Sequence, residues 1–153
     1  MSLNHEDFTN NLFAFLTETF ESPPEPSSLY LDQKAGLFDT LHNLSAEQAS
    51  KDLGSSSIAA HVEHTRFYLD VVRQFIEGRT EKVDWQESWQ VKEVTPEAWE
   101  TLQQDLRATY EQVSRTLRDL ETWGDDEISD GMAVVVHTAY HLGAIRQMVK
   151  VVT

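Results

Sequence analysis

The chain has 153 residues, 40% hydrophobic and 25% charged, with six glycines and no cysteine, the make-up of an ordinary soluble globular protein with one domain over 1–153. Its net charge of −14, from 26 acidic against 12 basic side chains, argues against a nucleic-acid partner, which needs clustered Lys and Arg. No apolar run approaches a membrane span, and Met1-Ser2-Leu3-Asn4-His5-Glu6-Asp7 lacks the basic-then-apolar order of a signal peptide, so no membrane association is expected and the expected compartment is the cytosol.

The first periodic segment runs from about Glu6 to Phe20, where Phe8, Leu12, Phe15, Leu16 and Phe20 recur at three- and four-residue steps and predict a helix. Pro23, Pro24 and Pro26 stop it, because proline cannot continue the hydrogen-bond ladder. Between Leu29 and Leu53 the pattern weakens into short helical pieces. Ser45-Ala46-Glu47-Gln48 has capping-box spacing there, and Gly54 is placed to end the short helix that this box would open. Ser55-Ser56-Ser57 then offers an N-cap for a second long helix ending near Gly78. On its wheel Glu63, Arg66, Asp70, Arg73 and Glu77 fall within about 80° of one another. His61 and His64 both lie in the opposing apolar arc, and the wheel does not choose between them.

The stretch from Arg79 to Glu93 is a polar connection whose Trp85 and Trp89 are expected to pack over one end of the helices. Thr95-Pro96-Glu97 starts a third long helix, with an N-cap, a first-turn proline and an acid at the positive end of the helix dipole. It is expected to reach about Thr122 and to bury Trp99, Leu102, Leu106, Tyr110, Val113, Leu117 and Leu120. Asp125-Asp126-Glu127 reads as the start of a fourth helix running to about Val151. Four long amphipathic helices with one longer connection predict an all-α four-helix bundle, with short helical segments between its first and second helices.

The fourth helix carries His137 and His141 inside an apolar run. Four residues apart on a helix, they project from one side, roughly 6 Å apart along the axis, and can share one metal ion if a third ligand arrives from elsewhere. Without cysteine, histidine and carboxylate are the ligands available. The metalloprotease helix motif needs Glu after the first His, where Thr138 stands. The nucleobase-deaminase signature needs paired cysteines. A di-iron bundle needs Glu three positions before each ligand His, and neither histidine has one. A three-histidine site survives these tests, with two ligands from the fourth helix and one from the second.

Ser57-Ile58-Ala59-Ala60-His61-Val62-Glu63-His64 resembles the opening of the second helix in the DinB/YfiT-like superfamily of metalloenzymes, and His137-Thr138-Ala139-Tyr140-His141 resembles its closing H-x-x-x-H. The order of helices matches too, so the resemblance covers nearly the whole chain; Ser56 replaces a tryptophan that often precedes the opening Ser. In that family the second-helix ligand falls seven residues after the opening Ser or Thr. The resemblance therefore implies His64, His137 and His141 as ligands, with His61 the runner-up for the first place. It further implies a divalent metal, zinc or nickel before iron or manganese, and a homodimer. Family members include thiol-dependent S-transferases and a mycothiol-dependent isomerase. The expected function is attack of a metal-activated low-molecular-weight thiol or water on a small-molecule electrophile. The competing expectation is a non-catalytic bundle in which metal only braces helices. Tyr68, one turn after His64, and Tyr140, beside the other two histidines, are candidates to donate a proton or orient substrate, although a buried tyrosine more commonly ties its hydroxyl to a carbonyl. His5 and His42 are assigned no role.

Overall fold

The computed structural model describes residues 5–54 and 56–153, so the first four residues of the N-terminal stretch and Ser55 of the serine cap lie outside the described residues. The described residues are helical without a strand: α1 (His5–Glu21), α2 (Leu37–Leu41), α3 (Ala46–Ser50), α4 (Ile58–Ile76), a 3-10 turn (Trp85–Trp89), α5 (Pro96–Arg118) and α6 (Asp125–Val152). No helix among them is long and apolar enough to cross a membrane. The chain divides into two compact units, one of residues up to Asn43 with Thr122–Leu142, the other of Leu44–Glu121 with Gly143–Thr153. Helix α6 runs unbroken through the boundary.

In the first unit, α1 buries Leu12, Leu16 and Phe20 at four-residue steps. Phe15, expected in that stripe, is instead 38% exposed, its ring lying 6.0 Å from that of Tyr30. Position 15 sits at the edge of the apolar arc, where the Tyr30 ring shields only part of it. The chain leaves α1 through Ser22 at φ 73° and folds back, with the Ser22 hydroxyl donating to Asp39 Oδ2 (2.6 Å) and accepting the Gly36 N–H (2.8 Å). Only glycine suits position 36, because a Cβ there would overlap the Ser22 backbone nitrogen. The start of α6 and the residues just before it also lie close to α1. A Cβ on Gly131 would stand 2.8 Å from Leu12 Cδ2, and Trp123 meets Phe8 edge to face at 5.8 Å.

The second unit follows its caps. Ser45 and Gln48 complete the reciprocal capping box of α3. Gly54 does not cap that helix, which ends at Ser50; its φ of 96° serves a turn in which its N–H donates to Asp52 Oδ1 (2.8 Å). Ser57 caps α4, accepting the Ala60 N–H (3.2 Å) and donating to the Lys92 carbonyl (2.6 Å), which ties the helix start to the segment before α5. The charged stripe of α4 forms ion pairs along its own surface, Arg66 with Glu63 (2.7 Å) and Arg73 with Asp70 (2.7 Å) and Glu77 (2.6 Å). Thr95 caps α5, and the indole N–H of Trp99 donates to the Leu44 carbonyl (2.8 Å). Helix α5 stops at Arg118, four residues short of expectation, so Leu120 lies past its end, half-buried.

One buried charge anchors the first unit. Glu18 is 2% exposed, and its carboxylate accepts the N–H groups of Leu29 (2.6 Å), Tyr30 (2.7 Å) and Leu31 (2.6 Å). Burial pushes its pKa up, but the N–H groups of Tyr30, Leu29 and Leu31 outweigh that and hold it below the ordinary carboxylate value. A depressed folded-state pKa means that this contribution to stability is present above the unfolded pKa and is lost as pH falls through the folded one. Glu18→Gln is expected to cost about 3 kcal/mol near neutral pH, read as a lower urea midpoint. The gap from wild type should shrink as pH is lowered through the carboxylate range; a gap that stays constant into acid would contradict this role.

Candidate metal centre

Helix α6 positions two of the three sequence-predicted ligands. The rings of His137 and His141 lie 4.5 Å apart between centroids with their planes inclined by 55°, one turn apart as the spacing predicts. His141 is buried, 5% exposed, and His137 is half-buried. Helix α4 supplies the third, His64, which is 9% exposed. One potential ligand atom from each of His64, His137 and His141 lies within 4.8 Å of the others. Imidazole nitrogens sharing one tetrahedral ion stand about 3.3 Å apart, from bonds of about 2.0–2.1 Å. Three histidines this close together are able to hold a metal ion, and the group contains no carboxylate.

The 3-10 turn builds the surroundings of His64. Asp84 caps the turn by accepting the Gln86 N–H (3.0 Å), and the following residues place Ser88 and Trp89 against α4. The His64 Nδ1 is 2.7 Å from the Ser88 Oγ, and Ser88, fully buried, donates its hydroxyl to the Trp85 carbonyl (2.7 Å). The Trp89 ring lies flat on His64, centroids 4.1 Å apart and planes 17° from parallel. His61 meets the same indole edge-on, at 5.4 Å and 89°. The two histidines that the wheel could not separate are thus distinguished: His64 belongs to the three-histidine group, and the runner-up His61 is not among its members.

Burial pushes the pKa of His64 down, and the neighbouring His61 pushes it further in the same direction; burial alone lowers that of His61. Both are therefore neutral near pH 7, the state in which an imidazole nitrogen has a lone pair to offer.

The two tyrosines differ from each other. Tyr68 is half-buried with its ring tilted over Trp85 at 5.7 Å. Tyr140 is no core residue: it is 74% exposed, with its ring edge-on to His141 at 5.1 Å. His5, assigned no role, has its Nε2 3.2 Å from the Trp123 carbonyl, and His42 is an exposed residue at the end of α2. Sequence reasoning assigned Trp85 and Trp89 to packing and missed Ser88. No local signal pointed to it, because its partner His64 stands 24 positions earlier in the chain.

No family model matches the chain, and no curated protein or solved structure matches it either.

With no metal added, the ring resonances of His61 and His64, followed by NMR, should both titrate below the ordinary imidazole value of 6.5. Because both folded-state pKa values are depressed, their contribution to stability is complete above that value and declines as pH falls below it. Midpoints at or above 6.5 would show that neither ring is desolvated as described.

Proposed function

We propose that this chain is a metal-dependent enzyme of the DinB/YfiT-like kind, in which His64, His137 and His141 hold one divalent cation, zinc or nickel, within a four-helix bundle formed by α1, α4, α5 and α6. The observation that carries this reading is the three-histidine group itself. The bundle is supported by four long helices, each with an apolar side. When bound, a cation held by three neutral ligands keeps its full charge and lowers the pKa of a water or thiol at an open position, supplying a nucleophile near neutral pH. The proposed substrates are a low-molecular-weight thiol, or water, and a small electrophile.

The chain's own residues have the remaining tasks. The neutral state of His64, favoured by burial, makes it a ligand without first losing a proton. Tyr140, exposed and packed by its edge on His141, is placed to meet an incoming molecule and to offer it a hydroxyl donor. Tyr68 is the second candidate donor. Met132 and Val136, one turn apart on α6, are 50% and 64% exposed, apolar surface that suits the proposed homodimer. A second reading, metal as a brace alone, draws support from the burial of His64 and His141.

Protein purified without a histidine tag should take up about one zinc or nickel per chain by elemental analysis, and His64→Ala, His137→Ala or His141→Ala should each weaken uptake about 100-fold or more. Full uptake by all three variants would refute the site. Cobalt(II) then separates enzyme from brace: its visible spectrum should shift when 2-mercaptoethanol is added. A spectrum indifferent to thiols and to small electrophiles would favour the brace.

A further inference from the structure

We propose that Ser88 is a positioning residue of this centre, fixing His64 in the Nδ1-protonated tautomer so that Nε2 is its ligand atom. The inference rests on the metal-centre reading above, and it comes from counting protons. The Ser88 Oγ lies 2.7 Å from the Trp85 carbonyl oxygen, which can only accept. Two oxygens that close repel unless a hydrogen lies between them, and the only hydrogen available is the one on Ser88. That hydroxyl has a single hydrogen, so toward its other neighbour it can only accept. Its other neighbour is the His64 Nδ1, also at 2.7 Å. The nitrogen must therefore carry the proton. In a neutral imidazole the second nitrogen then bears the lone pair.

The arrangement is built to hold this state. Ser88 is fully buried, which removes water as a competing partner for its hydroxyl. It stands three residues after Trp85 in the 3-10 turn, within reach for a serine hydroxyl to bond back to that carbonyl. The turn is held by the Asp84 cap at its start, and Trp89, the next residue, lies flat on the same imidazole. The hydrogen bond and the stacked indole together fix both the proton and the plane of the ring. A histidine ligand commonly donates its other N–H to a carboxylate or carbonyl; here a serine relays that contact to a backbone carbonyl.

The test uses the full chain and zinc(II). Long-range proton–nitrogen NMR of the metal-free protein above pH 7 should show His64 with a protonated Nδ1 and a bare Nε2. A His64 protonated at Nε2, or an even mixture of tautomers, would overturn the proposal without any variant being made. Ser88→Ala should lose the tautomer preference and bind zinc about 10- to 100-fold more weakly, with Ser88→Thr recovering most of both if its methyl is accommodated. A Ser88→Ala protein that folds, by its circular dichroism, and takes zinc as tightly as wild type would also overturn it. Wild-type protein that binds no zinc refutes the metal centre itself, an outcome distinct from a Ser88→Ala variant equal to a zinc-binding wild type.

Discussion

A buried polar ring must find a partner, and on α4 that requirement decides where the connection between α4 and α5 goes. The His64 imidazole is removed from water, so its N–H would be costly left unmet. Ser88 meets it from the 3-10 turn, and the Trp85 carbonyl meets Ser88. Turn and helix are thereby tied at the level of single hydrogen atoms. The connection is also tied near α5, since the Ser57 hydroxyl at the start of α4 donates to the Lys92 carbonyl, shortly ahead of the Thr95 cap. A segment with no apolar periodicity of its own is placed by the polar needs of the helix it covers.

The first unit solves a like problem with charge. Glu18 sits on the buried side of α1, where a carboxylate stripped of water would protonate. Three consecutive backbone N–H groups, those of Leu29, Tyr30 and Leu31, substitute for the lost water and also order the loop that comes after the prolines. In both units a buried polar group on a helix recruits an irregular segment. The ordered loop and the ordered turn are consequences of the helix residues they satisfy.

This explains which features could be read from the chain and which could not. Helix starts were legible at Ser45, Ser57 and Thr95, because a cap is a local arrangement between a side chain and the N–H groups two or three residues on. The histidine pair on α6 was legible because four-residue spacing translates directly into position on one helix side. Depth was not legible: a wheel gives an angle and not a distance from the surface, so Phe15 was placed in the buried stripe, yet it is exposed. The end of α5 was misplaced because the apolar spacing continues through Leu120 after the backbone has left the helix. Ser88 was invisible, since its role depends on a residue 24 positions earlier. The choice of His64 over His61 came from family resemblance, which the wheel could not supply, and the three-histidine group agrees with it.

The donor set bears on metal choice as well. The chain's 26 carboxylates offer many oxygen donors, the kind that hard cations such as magnesium and calcium prefer. None belongs to the histidine group. Imidazole nitrogen favours zinc, nickel and copper over magnesium, calcium and manganese, and among the first-row ions its affinity rises from manganese toward copper. The acidic excess would raise the local concentration of divalent cations with little regard to their identity, whereas imidazole donors would discriminate between them. For a cation held by these imidazoles, long-range attraction and local choice would fall to different residues, so a change in surface charge would alter how fast a metal arrives far more than which metal is kept.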